Sequence, residues 1–297
     1  MVIMIIDKLY ERVKERGVVC VGLDTDYSYL PQSFANSFEN IGDAVFNFNK
    51  KIIDATIDVA ACFKVQIAYY EAYGLKGMEA YAKTLKYLKE KDAVIIADVK
   101  RGDIAKTAEM YAKAHFEGDF ESDFITLNPY MGMDTIEPFL PYLKNKEKGI
   151  FALVRTSNPG SKDLQYITNK EDRKIYNIVG NKINSLGKEY IGLSGYSSLG
   201  AVVGCTYSYE AEEIRRELDS TFFLIPGYGA QGGKAEDVAL YLKDGNGGVV
   251  NSSRAILLAY KKNEKGEKEF ELCSREEAIR MRDEIFNACK RAKEVTR

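Results

Sequence analysis

Short apolar runs alternate along the chain with longer stretches in which apolar residues recur every three or four positions. The runs are 18–24 (VVCVGLD), 62–68 (CFKVQIA), 94–100 (VIIADVK), 124–130 (FITLNPY), 149–156 (GIFALVRT), 199–206 (LGAVVGCT), 221–227 (TFFLIPG) and 247–253 (GGVVNSS). Dense in β-branched and aromatic residues, they read as strands buried on both faces. The stretches between them read as amphipathic helices. One puts Met78, Tyr81, Leu85 and Leu88 on a single stripe; the last puts Ala278, Met281, Ile285 and Phe286 on one, and Ser274 with Glu277 predicts a capping box at its start. Strand–helix alternation predicts a parallel sheet, and eight units fit a closed (β/α)8 TIM barrel. A doubly wound open sheet is the rival. It usually carries GxGxxG at the first strand–helix turn, and GLDTDYS has none. The chain is read as one domain, 1–297, with long connections at 25–61 and 157–198 that hold extra helix or loop.

The third run ends on charge. In VIIADVK, strand alternation puts Ile96, Asp98 and Lys100 on one face and Ile95, Ala97 and Val99 on the other. The apolar set can pack on helices, while the charged set points into the barrel mouth, where active sites of this fold lie. Asp98 and Lys100 are expected about 7 Å apart at Cα along the strand. A structural ion pair is the plain alternative, but burial costs several kcal/mol per ion unless a network compensates. Asp103, beyond the strand, is open to a second reading as the N-cap of the helix that follows.

Composition narrows the chemistry. A net charge of −2 gives no reason to expect nucleic acid or an anionic membrane as partner. Five cysteines, an odd number without a CxxC spacing, suit reduced thiols in the cytoplasm better than a disulfide frame or a zinc site. The opening MVIMII is too short for a signal peptide or a membrane span. His115 is the only histidine, so histidine triads and multi-histidine metal sites are excluded, and acid–base work falls to carboxylates, Lys, Tyr or Cys.

DVKRGDI at 98–104 resembles the DxKxxDI signature of the orotidine 5′-phosphate decarboxylase family. GLDTD, FKVQIAYYEAYG, RTSNPG, PGYGAQGG and SSRAI match the family in type and order, and LNPYMGMD resembles its longer bacterial branch. The resemblance implies conversion of orotidine 5′-phosphate to UMP, the last step of de novo pyrimidine nucleotide synthesis, without metal or cofactor. It makes Lys100 the proton donor to C6, flanked by Asp98 and Asp103 in an alternating charge array. It implies a homodimer in which Asp103 and Thr107 reach the neighbouring site. It assigns Asp24 and Lys64 to the ribose region, Ser157 to the pyrimidine, and Gln231 and Arg254 to the phosphate, with SNPGSKDLQ as a candidate lid. Without the resemblance, the glycines of IPGYGAQGG could be plain turns and Arg254 a surface charge. Two other functions are open: a phosphosugar decarboxylase or synthase of the same superfamily, which would hold magnesium and for which Lys64 is awkward, and a non-catalytic phosphate-ligand sensor.

Overall fold

The computed structural model describes residues 3–145, 147–229, 232–262 and 266–295. Its strands are β1 (Val19–Gly22), β2 (Cys62–Gln66), β3 (Ile95–Arg101), β4 (Phe124–Leu127), β5 (Gly149–Arg155), β6 (Ser197–Val203), β7 (Thr221–Ile225) and β8 (Gly248–Ser252). Each pairs in parallel with the next, and β8 pairs with β1, closing the barrel. All eight apolar runs are strands. β6 begins two residues before its run because Ser197 and Ser198 are buried polar residues. The Ser197 hydroxyl donates to the Gly187 carbonyl (2.8 Å) and accepts from Leu199 N–H (3.0 Å), so Ser197 enters the sheet with its hydroxyl satisfied.

The helices clad the barrel as their stripes require. On the helix Gly74–Glu90, Tyr81, Leu85 and Leu88 are fully buried and Met78 packs at the edge. The long connections carry the helices Ile41–Thr56 and Ile175–Gly187. The C-terminal helix departs from expectation in two ways. It runs Phe270–Val295, so Ser274 lies inside it and not at its N-cap. Its buried hydroxyl shares its one proton between the Ile256 carbonyl (2.8 Å) and, a turn back, the Phe270 carbonyl (3.1 Å), while Phe270 stacks on Phe48 at 4.8 Å. Aromatic packing therefore starts this helix a turn earlier than any cap. Ala278, Met281 and Ile285 are buried on the expected stripe, but Phe286 is 55% exposed, one position round from the packed face. Among the described residues no helix is long and apolar enough to cross a membrane.

His115 is buried on the helix Ala105–Phe116, where its Nε2 accepts a hydrogen bond from Arg101 Nε (3.2 Å). Burial, and then the Arg101 charge, push the imidazole down to about 4 from an ordinary 6.5. Between those values the unfolded chain binds a proton that the folded chain does not. The His115 contribution is therefore fully present above 6.5 and is lost as pH falls toward 4. His115→Gln keeps an acceptor for Arg101 without the titration. We predict a shallower fall of the urea midpoint on acidification; a slope equal to the parent's would exclude His115 as the cause.

Candidate active site

Three neighbouring strands deliver the charges. Register places Gly22 of β1 beside Lys64 of β2, and Gln66 of β2 beside Asp98 of β3. Lys64 Nζ donates to Asp24 Oδ1 (2.8 Å) and to Asp98 Oδ2 (3.0 Å), and Lys100 Nζ donates to Asp98 Oδ1 (2.6 Å). Asp24, Lys64, Asp98 and Lys100 thus form one chain of alternating charge. It runs from the buried wall of the barrel, where the Lys64 side chain is 6% exposed, to the open mouth, where that of Lys100 is 47% exposed. Burial opposes ionisation of Asp98, but Lys64 and Lys100 outweigh it and hold the carboxyl far below its usual range. Burial likewise opposes the Lys64 ammonium, and the charges of Asp24 and Asp98 overcome it, raising its pKa well above the ordinary lysine value.

Residues that the sequence did not single out hold this chain in place. Gln66 Nε2 donates to Asp98 Oδ2 (2.9 Å), and the Thr126 hydroxyl donates to Asp98 Oδ1 (2.9 Å). Asp24 is fixed from both sides. Leu23 N–H donates to the Lys64 carbonyl (2.8 Å), the Tyr70 hydroxyl donates to the Leu23 carbonyl (3.2 Å), and the Thr25 hydroxyl donates to Asn49 Oδ1 (2.6 Å). Asn49 closes the loop by donating to the Tyr70 hydroxyl (2.8 Å). Tyr69 and Tyr70 lie in FKVQIAYYEAYG, but nothing in their spacing distinguishes a hydroxyl that braces a loop from a core ring.

Asp98 and Lys100 meet, though not by plain strand alternation. Between Ala97↔Ile125 and Arg101↔Leu127 the register advances four residues on β3 and two on β4. Lys100 has φ 43°, in the left-handed region that a residue with a Cβ seldom occupies. Asp103 lies past this bulge, half-buried, and Ala105 has φ 47° just beyond it. Asp103 is not the helix cap. Ile104 is the N-cap residue and has no side-chain cap bond, while Asp103 Oδ1 accepts, among the described residues, only from its neighbour Ile104 N–H (2.9 Å). Among the described residues of this chain Asp103 pairs with no lysine, and Thr107 is exposed on the same helix.

The remaining sequence candidates sit around the mouth. Arg254 opens the short helix Arg254–Leu257 after β8 and is exposed, with no hydrogen bond or ion pair among the described residues. The register Val21↔Ser252 brings its loop beside that of Asp24. Tyr69 feels both: burial, Tyr29 and Asp24 push its phenol up, and the Arg254 charge works against them. After β7, the Gly227–Gly233 turn is closed by Gly229 N–H to the Gly233 carbonyl (2.9 Å) and Gly233 N–H to the Gly227 carbonyl (3.0 Å). Gln231, in that turn, lies outside the described residues. Ser157 follows β5 and packs so tightly on Gly204 that a Cβ there would stand 2.7 Å from its own.

Arg155, at the end of β5, is fully buried and does not reach the mouth. Its Nε donates to Glu210 Oε2 (3.0 Å), Nη1 to Ser161 Oγ (2.9 Å) and Nη2 to the Tyr166 hydroxyl (2.9 Å), with the Tyr207 ring 3.9 Å from the guanidinium. It fastens the segment 157–165 to the loop after β6. Among the described residues no group of three or more His, Cys, Asp or Glu is placed to hold a metal ion.

The difference in exposure between Lys64 and Lys100 generates a stability prediction. Lys64→Met leaves two carboxylates facing a buried apolar side chain, and losing one partner of a buried pair costs about 3–5 kcal/mol. Lys100→Ala removes a charge that water already reaches. Urea unfolding should therefore show Lys64→Met strongly destabilised and Lys100→Ala near or above the parent. The reverse order would contradict the geometry.

Known proteins resemble this chain over nearly its whole length. A family model described as "Orotidine 5'-phosphate decarboxylase / HUMPS family" matches residues 17–268. The orotidine 5′-phosphate decarboxylase of Clostridium kluyveri is 65% identical over 283 residues, covering 95% of this chain and 97% of that protein. That of Clostridium perfringens strain SM101 is 66% identical over 285 residues, covering 96% and 99%. Among solved structures, Leishmania donovani OMP decarboxylase superimposes with a TM-score of 0.75 at 28% identity, covering 96% of this chain and 98% of its own. Leishmania donovani UMP synthase superimposes with a TM-score of 0.77 at 31% identity, covering 97% of this chain and 56% of its own. With an alternating Asp–Lys–Asp–Lys chain in the mouth of a closed barrel and a family match over most of its length, this chain belongs to the orotidine 5′-phosphate decarboxylase / HUMPS family.

Proposed function

We propose that the chain decarboxylates orotidine 5′-phosphate to UMP, with Lys100 as the proton donor. The observation that carries this reading is the Lys100 ammonium, held 2.6 Å from a buried carboxylate yet half open to the mouth. The bond from C6 to the carboxylate breaks, CO2 leaves, and the electron pair stays on C6 in the ring plane, where the π system cannot take it up. An ammonium standing beside C6 before the reaction stabilises that charge without reorganising, then gives C6 its proton. Water later returns a proton to Lys100. Asp98, fixed as a carboxylate by two lysines, both positions Lys100 and lies against the departing carboxylate.

In this reading Asp24 and Lys64 take the ribose, Ser157 the pyrimidine, and Gln231 and Arg254 the phosphate. Arg254 suits its role because its guanidinium has no partner among the described residues and emerges beside the Asp24 loop. Phosphate binding remote from C6 can draw the 157–165 segment closed and lower the barrier at the reacting carbon. A magnesium-dependent phosphosugar enzyme is disfavoured because the Lys64 ammonium fills the space between Asp24 and Asp98. The five cysteines are unbridged, which suits the reducing cytosol.

We further propose a homodimer in which Asp103 and Thr107 complete the partner's site. Among the described residues Asp103 lacks a lysine partner in its own chain, and it is followed by exposed apolar side chains: Ile104, Met110, and, after β4, Tyr130 and Met131. Such a patch suits a protein interface, and a second copy of the chain also supplies the missing carboxylate.

Two experiments test these roles. Lys100→Ala should abolish decarboxylation, whereas activity within about tenfold of the parent would remove Lys100 from its role. Arg254→Ala should raise KM strongly, and free guanidinium should restore part of the loss. For the dimer, inactive Asp103→Asn and inactive Lys100→Ala chains should regain activity when mixed, because one site of each hybrid carries both native residues. Proven subunit exchange without activity would place Asp103 in its own chain's site or in none.

A further inference from the structure

We propose that Thr126 is a positioning residue for the reaction: its one hydroxyl locks the β3 bulge and the Asp98 carboxylate together and so aims the Lys100 ammonium. Three hydrogen bonds meet at this atom. The hydroxyl accepts from Val99 N–H (3.0 Å) and from Lys100 N–H (2.8 Å), and donates to Asp98 Oδ1 (2.9 Å). One donor and two acceptor sites are all that a hydroxyl has, so its capacity is used up.

The sheet explains why a side chain is needed here. Across the bulge, Asp98, Val99 and Lys100 of β3 stand opposite Thr126 alone on β4. A regular ladder would offer backbone carbonyls to Val99 and Lys100 N–H; the two additional residues take those donors out of register. The Thr126 hydroxyl replaces both acceptors from a position that is itself buried. It thereby supports the left-handed turn at Lys100, whose φ of 43° has to be held by its surroundings. The same atom orients the Asp98 oxygen that receives Lys100 Nζ at 2.6 Å. The backbone direction of Lys100 and the anchor of its ammonium thus depend on one group. A serine keeps that group; valine has nearly the same shape and lacks it.

The kinetic part of this inference rests on the decarboxylase reading, while the geometric part does not. Thr126→Val, Thr126→Ala and Thr126→Ser are assayed with orotidine 5′-phosphate, and a crystal structure of Thr126→Val is determined. Misplacing a catalytic group by an ångström costs on the order of 100-fold, so Thr126→Val should lose about that factor in kcat with KM changed by less than about threefold. Thr126→Ser should return to within about fivefold of the parent, since it restores the hydroxyl and not the methyl group. In the Thr126→Val crystal, Lys100 Nζ should have left hydrogen-bond distance of Asp98 Oδ1.

The proposal is overturned if Thr126→Val keeps kcat within about threefold, if its loss lies in KM alone, or if Thr126→Ser is no better than Thr126→Val. An unmoved Lys100 in the crystal also overturns it. If Thr126→Val does not fold, Thr126→Ala takes its place in both arms. If neither folds, Thr126 is a residue of the fold and the proposal fails. A parent chain inactive on orotidine 5′-phosphate defeats the functional reading instead, and the crystal distance then decides the positioning claim by itself.

Discussion

Asp98 is a carboxylate with almost no water, and it remains ionised because two ammonium groups and two neutral donors converge on it. Remove that convergence and the site loses its reason to exist: a lone buried carboxylate would take up a proton, and Lys100 would lose its anchor. The barrel serves this constraint. Lys64 comes from β2, Asp24 from the end of β1 and Asp98 from β3, and parallel register fixes their relative heights before any ligand arrives. The loop that carries Asp24 is braced by Thr25, Asn49 and Tyr70, all buried, so its carboxylate is held by packing as well as by charge. A site built this way is organised in advance, as stabilising a localised carbanion requires.

The same logic extends to the rim, where packing replaces charge. Arg155 and Glu210 form a buried pair whose further hydrogen bonds reach Ser161, Tyr166 and Lys174. The base of the 157–165 segment is therefore rigid, and Ser157 is seated on Gly204, where a larger residue would not fit.

Much of this was legible in the sequence because it is written in local pattern. Strands buried on both faces must be near-continuously apolar, so all eight runs were visible, and a DVK strand end is too costly to bury without a network. What escaped has a common physical character. The β3 bulge leaves no mark in VIIADVK, because the hydroxyl that satisfies its displaced N–H groups belongs to a threonine on the next strand. Gln66, Tyr70 and Asn49 act through contacts distant in sequence, and their residue types are common in cores and on surfaces alike. The capping box at Ser274 failed because the Phe270–Phe48 stack outweighs a local cap, and Phe286 shows how a stripe read one position too wide meets solvent. Asp103 lies past the strand as its position in the sequence suggests, and among the described residues no cationic partner meets it, so its proposed role in a second copy's site had no contact within this chain to announce it.

In the proposed mechanism a preorganised ammonium, held by Asp98, is sufficient to carry the carbanion and then protonate it. The most direct measurement is turnover of orotidine 5′-phosphate by the purified chain in D2O with EDTA present, followed by NMR of the product. Equal amounts of CO2 and UMP are expected, with deuterium at C6 delivered from the exchanged Lys100 ammonium. Absence of UMP, or turnover that stops in chelator and returns with magnesium, would contradict it.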